Sequence, residues 1–113
     1  MINQPLTLPC GAEIPNRLCK AAMTEGLASP AGEPTAALNQ LYGLWSDGGA
    51  GLLLSGNVQI DGDHLERPGN VIVEGEPSAT MQATLEAWAA AGTRGCNHFW
   101  AQISHAGRQC QKI

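Results

Sequence analysis

The feature that most constrains this chain is an alternation between two hydrophobic periods. Leu38, Leu41, Tyr42 and Trp45 fall at i, i+3, i+4 and i+7, which is one face of a helix. Glycines follow at once, and then the short apolar run 51–55. The succession repeats downstream. Met81, Leu85 and Trp88 share a helical face, Gly92 interrupts, and residues 97–103 read as another strand. Strands that alternate with amphipathic helices call for an α/β fold, with helices laid on a parallel sheet.

Local signals sharpen the boundaries. Thr35 is placed to cap a helix running to about Asp47, and Gly48-Gly49 stops it. Ser78 is placed to cap a second helix over 79–91. Residues 17–22 form a candidate first strand, in which Leu18, Cys19, Ala21 and Ala22 suit burial on both faces. Ahead of it, two short alternating runs, 6–8 and 12–14, flank Pro9-Cys10-Gly11 and predict a β-hairpin. Residues 24–33 are dense in breakers and read as loop. The polar stretch 61–76 reads as a long excursion loop, the kind of segment that carries function. The expected order is hairpin, β, α, β, α, β, as one unit over residues 1–113. A doubly wound sheet and a (β/α)8 barrel begin alike, and periodicity alone does not separate them.

Composition excludes several functions. The net charge is −4 and the six Lys and Arg form no block, which argues against nucleic acid or an anionic membrane as partner. The segment Met1-Ile2-Asn3-Gln4-Pro5 lacks the basic start and apolar stretch of a secretory signal. The longest apolar run, 50–54, is far short of the roughly 20 residues that span a bilayer. A soluble cytoplasmic protein is the expectation. Cys10, Cys19, Cys96 and Cys110 form no C-x-x-C pair and no zinc spacing with histidine. They are expected as reduced thiols, with Cys19 and Cys96 filling strand positions as small hydrophobes, and no metal site is expected.

Chemistry-bearing motifs are sparse. Gly48-Gly49-Ala50-Gly51 follows a helix and opens a strand, the reverse of a dinucleotide fingerprint, so it reads as a tight turn. No Walker sequence and no G-x-S-x-G elbow occurs. What recurs is polarity just after each predicted strand: Thr24-Glu25, then Ser55-Gly56-Asn57, then 102–108 with His105. In a parallel α/β architecture such positions converge on one end of the sheet. Neutral amides and hydroxyls there suit a polar heteroaromatic ring better than a metal or a phosphate, although ordinary strand-end polarity would look the same.

Three blocks carry a family resemblance. Asn16-Arg17-Leu18-Cys19-Lys20-Ala21-Ala22-Met23-Thr24-Glu25 resembles the opening strand of the Old Yellow Enzyme family of NADH:flavin oxidoreductases. Gly48-Gly49-Ala50-Gly51-Leu52-Leu53-Leu54-Ser55 resembles that family's second strand, and Phe99-Trp100-Ala101-Gln102-Ile103-Ser104-His105-Ala106-Gly107-Arg108 its third. Together with the hairpin, the resemblance spans roughly Leu6 to Gln109.

The resemblance implies a (β/α)8 barrel that holds FMN at the C-terminal ends of its strands. The chain would supply the hairpin, the first two βα units and the third strand. Ala22, Met23 and Thr24 would line the flavin through their backbone, with the Thr24 hydroxyl near the C4 carbonyl oxygen. Asn57 would offer a backbone group, and the Gln102 amide would pair with the pyrimidine edge, since it supplies a donor and an acceptor together. His105 and Arg108 match the H-A-G-R block without a defined role. The implied activity is reduction of FMN by NADH or NADPH, then hydride transfer to an electron-poor alkene or related small molecule. A complete barrel takes about 250 residues. The family's substrate clamp, protonating Tyr and phosphate loops have no counterpart here, so no catalytic residue is assigned. The chain is therefore expected to be a truncated N-terminal fragment, inactive alone and prone to self-association. The alternative expectation is a non-catalytic remnant or an assembly subunit that needs a partner to complete the barrel.

Overall fold

The computed structural model describes residues 1–110. The hairpin forms from β1 (Leu6–Thr7) and β2 (Glu13–Ile14), antiparallel, with Leu6 opposite Ile14. Its turn is closed by Gly11 at φ +89°, a backbone conformation that favours glycine. After β3 (Cys19–Lys20), helix α1 covers Ala36–Asp47. The Thr35 hydroxyl caps α1 by accepting the Leu38 N–H at 3.3 Å, and itself donates to the Leu27 carbonyl at 2.6 Å. Then come β4 (Leu52–Gln59), β5 (Val71–Ile72), α2 (Ala79–Thr93), β6 (His98–Ser104) and a 3-10 turn at Gly107–Gln109. Ser78 caps α2 by accepting the Met81 N–H at 3.1 Å.

Strand β4 is the centre of a parallel sheet. β6 runs along one edge of it, from Leu52 opposite His98 to Gln59 opposite Ser104. The other edge is shared in succession by β3, with Cys19 opposite Leu52, and β5, with Val58 opposite Val71. Between Leu54 and Asn57 the β4–β6 register shifts, the signature of an extra residue in one strand. The Ser55 hydroxyl fills that irregularity by accepting the Gln102 N–H at 2.8 Å.

Both helices lie on one face of this sheet. Leu38, Tyr42, Leu53, Val58, Val71 and Trp88 form the buried cluster, with Trp45, Leu85 and Phe99 against it. Tyr42 meets Trp45 and Trp88 edge-on, at centroid distances of 5.0 and 5.3 Å, the geometry aromatic quadrupoles prefer. Arg94 forks onto Asp47 at 2.9 and 2.6 Å, joining the ends of the two helices. Asn16 ties the start of the sheet together. Its Oδ1 accepts the Leu18 and Gly51 N–H groups at 3.0 and 2.8 Å, and its Nδ2 donates to the Gly49 carbonyl.

Beyond β6 nothing among the described residues covers the helix-side face. Ile103 is therefore 62% exposed, although it sits opposite the buried Val58. The radius of gyration is 14.8 Å, against about 13 Å for a closed domain of this length. The sheet is a segment of a barrel, and the barrel is not closed within it.

The helices and strand order match the sequence expectation, with four corrections. The first strand reduces to Cys19–Lys20, because only these residues pair with β4. The second strand continues past Ser55 to Gln59, so Asn57 lies within it. The stretch expected as loop contains β5, whose two apolar residues find the free edge of β4. Cys96 is not in a strand but in an exposed turn at φ +61°, and Cys19 is exposed. No helix of the described residues is long and apolar enough to cross a membrane.

Candidate functional site

Side chains alternate across a strand. Phe99 of β6 packs into the helix-side core, so His98, Trp100 and Gln102 point to the opposite, uncovered face. The register puts Asn57 beside Gln102 there, and the two amides bond directly, Gln102 Nε2 donating to Asn57 Oδ1 at 2.8 Å. On the other side of Asn57, its backbone N–H reaches the Thr24 hydroxyl oxygen at 3.4 Å. Thr24, Asn57 and Gln102 thus form one hydrogen-bonded line across the C-terminal ends of three parallel segments. The Asn57 carbonyl is approached by Asn70 Nδ2 at 3.5 Å. Both backbone groups of Asn57 therefore have partners within the chain, and its side chain is what meets Gln102.

Ala22 is half-buried and Met23 is 54% exposed. Both sit where the chain leaves β3 and passes close over Gly56. A Cβ at Gly56 would lie 2.5 Å from the Met23 carbonyl oxygen and 2.7 Å from the Thr24 Cα, and would also strike the Glu25 carboxylate. Glycine at 56 is what lets this segment lie against β4. The approach is locked from the helix side. Tyr42 donates its hydroxyl to Glu25 Oε1 at 3.0 Å, and the Gly56 N–H is shared between that carboxylate oxygen and the Tyr42 hydroxyl. Burial, chiefly, pushes the Tyr42 hydroxyl far above its ordinary range, so it remains a donor.

Two further charged groups flank this region, Glu66 from the excursion segment and Lys20 from β3. Burial alone would raise the Glu66 carboxyl, but its bonds to Arg67, Asn70 and Thr24 outweigh that and hold it low. Lys20 donates to the Leu54 carbonyl at 2.7 Å and lies over the Trp45 ring at 4.4 Å, on the helix side. Burial depresses its pKa against the opposing pull of Glu25 and Cys19. His105 and Arg108 are both exposed at the same end of the sheet.

Sequence reasoning missed Tyr42, Glu25 and Gly56 as a support for Thr24. Tyr42 was legible only as an apolar position on a helical face. It also missed Gln59, which is fully buried with neither amide atom partnered among the described residues.

The donor set fits one edge of a flavin ring: neutral hydroxyl and amide groups in a line, over a glycine that keeps the backbone close. This is an open parallel α/β sheet, helices on one face and polar strand ends on the other, and it defines part of a (β/α)8 barrel. No protein-family model matches the chain. It is 36% identical over 107 residues to the NADH-dependent flavin oxidoreductase iliE of Hypocrea jecorina, covering 94% of this chain and 27% of that protein. It is 33% identical over 105 residues to the NADH-dependent flavin oxidoreductase iccE of Talaromyces variabilis, covering 92% and 25%. Among solved structures, Old Yellow Enzyme from Pichia sp. AKU4542 superposes with a TM-score of 0.83 at 14% identity, over 96% of this chain and 27% of that one. Morphinone reductase superposes with a TM-score of 0.81 at 21% identity, over 97% and 28%. In sequence the chain groups with NADH-dependent flavin oxidoreductases, and in fold it matches part of the Old Yellow Enzyme barrel. It spans about a quarter of the length of these relatives.

Proposed function

We propose that residues 1–113 contribute one side of the FMN pocket of a barrel oxidoreductase. The whole enzyme would pass hydride from NADH or NADPH through FMN to an electron-poor alkene or related small molecule. The observation that carries this reading is the line Thr24–Asn57–Gln102 on the uncovered face of the sheet. FMN, when bound, supplies the hydride chemistry. This chain's part is to hold and polarise the ring. Gln102 offers a paired donor and acceptor to a polar edge, and Ala22 and Met23 form a wall against the ring. The Thr24 hydroxyl, free to turn from Glu66, donates where negative charge gathers on reduced flavin and so tunes its potential. None of these groups is a proton donor to substrate, and no catalytic residue is assigned. The chain alone is expected to consume no NADH in the presence of FMN. A cytoplasmic location fits the acidic composition.

The test is FMN binding, followed by fluorescence titration, in a barrel that contains this chain. Gln102→Leu leaves a polar ring edge unpaired, a loss of roughly 1–3 kcal/mol. Unchanged FMN dissociation in that variant would refute the pocket.

A second reading, that this chain acts only with a partner completing the barrel, is favoured by the exposed helix-side Ile103 and by Trp100, 40% exposed on β6. Sedimentation checks it. The isolated chain should self-associate through the free β6 edge, and a monodisperse, cooperatively unfolding monomer would exclude this.

A further inference from the structure

Asp61, His64 and His105 lie together at the C-terminal mouth of the sheet, on groups the flavin reading does not use. The register explains the meeting. Gln59 is opposite Ser104, and the Ile60 N–H donates to the Ser104 carbonyl at 3.2 Å. The residues that follow each strand therefore emerge side by side. One oxygen of Asp61, Oδ1, is held by the Asp63 N–H at 2.9 Å. The other, Oδ2, faces His64 Nδ1 at 2.7 Å and His105 Nε2 at 3.3 Å. The two imidazoles are stacked, 6.0 Å between centroids and 29° between planes. All three ligand atoms lie within 4.8 Å of one another.

We propose that Asp61, His64 and His105 form a binding site for a divalent transition-metal ion of the zinc type. Zinc–nitrogen and zinc–oxygen bonds of about 2.0–2.2 Å put tetrahedral ligands about 3.4 Å apart. Asp61 Oδ2 stands 2.7 and 3.3 Å from the two nitrogens, and side-chain rotations that bring all three separations to that value complete the set. Two imidazoles and a carboxylate are borderline ligands that suit zinc, cobalt or nickel over calcium or magnesium. The Asp63 N–H fixes the carboxylate as an outer support would. Three protein ligands leave at least one position to solvent. Half-exposed side chains give the ion an entry path: Asp61 is 28%, His105 44% and His64 55% exposed.

Binding has one structural consequence. The Gly107 N–H donates to His105 Nδ1 at 2.9 Å, so the ring hydrogen sits on Nε2. For Nε2 to bind a metal, that hydrogen must move to Nδ1, which breaks the bond from Gly107. The turn Gly107–Gln109 is exposed and can yield. Ligation at His64 Nδ1 moves its ring hydrogen to Nε2.

The test is titration of the chain with Co2+ at neutral pH, followed by visible absorption, and with Zn2+, followed by imidazole and amide NMR. The expected result is one saturable site without thiolate charge-transfer bands, at least tenfold weaker in His64→Ala, His105→Ala and Asp61→Asn. With Zn2+, the His64, His105 and Gly107 signals move. Those of His98, whose Nε2 lies 2.8 Å from the Glu13 carbonyl oxygen, stay as an internal reference. The proposal is overturned by the absence of saturable binding, by thiolate bands, or by variants that bind as tightly as the parent. If a variant is poorly folded, the Zn2+ shifts in the unaltered chain decide alone.

Discussion

Gln102 Nε2 donates to Asn57 Oδ1 at 2.8 Å, across a parallel pair that begins just after a register shift. The shift is what turns the Asn57 side chain toward β6. The bond orients the Gln102 amide, leaving its Oε1 and one N–H available at the uncovered face. Asn57 thus acts on any ligand there through Gln102. Asn57→Ala should weaken FMN binding in a completed barrel by less than Gln102→Leu does, since the Gln102 amide remains and only its orientation is freed. Fluorescence titration of the two variants compares them. An equal loss would mean that the Asn57 side chain touches the ring itself.

The close pass of residues 23–25 over β4 depends on Gly56. Gly56→Ala drives a methyl group into the Met23 carbonyl, the Thr24 Cα and the Glu25 carboxylate. Backbone atoms cannot swing aside, so the strand and the loop must part. A loss of about 1–3 kcal/mol is expected, as for other overpacked positions, visible as a lower midpoint in urea. The same change separates Thr24 from Asn57, so flavin affinity should fall with stability. An alanine variant as stable as the parent would show that the loop is not seated on β4.

The Asp61 carboxyl is held below the ordinary carboxylate range, first by the Asp63 backbone N–H and then by His64, with His105 contributing. Its folded pKa is depressed relative to the unfolded chain. The attachment it makes is therefore fully present above the unfolded value, about 3.9, and is lost as pH falls through the still lower folded value. Without metal, the Asp63 amide should lose protection from hydrogen exchange only on that acid side. In Asp61→Asn the acid-dependent step should be absent. A loss of protection that begins well above pH 5 would contradict the assignment to this carboxyl.

Much of the fold was legible because it rests on local signals. Thr35 and Ser78 are caps whose side chains do what their types predict, and the faces of Leu38, Tyr42, Met81 and Trp88 follow helical period. What escaped depends on pairing at long range. Val71-Ile72 is too short to show a strand period, and becomes β5 only because β4 extends beyond Ser55. The register shift that brings Asn57 to Gln102 has no sequence signature. Asp61 and His105 are separated by 44 residues and become neighbours only through the β4–β6 register. Cys96 was misplaced because its turn, at φ +61°, is set by the Ser46–Asn97–Gly95 hydrogen bonds between helix and strand rather than by its own type.

Gln59 leads to the most direct test of how self-sufficient this sheet is. Its side chain is fully buried, and neither Oε1 nor Nε2 has a hydrogen-bond partner among the described residues. A buried, unsatisfied amide costs roughly 1–3 kcal/mol relative to an apolar group of the same shape. Methionine matches glutamine closely in length and adapts its packing. Gln59→Met should therefore stabilise the isolated chain, raising its urea midpoint without changing the slope of the transition. In a completed barrel the sign depends on what the added strands bring. If they supply a donor and an acceptor to Gln59, the same substitution becomes neutral or destabilising there. Equilibrium unfolding of both forms reads the two signs separately. A destabilised isolated chain would mean that Gln59 is already satisfied, by water or by a rearranged neighbour, and that the end of β4 is more fully paired than the structure has it.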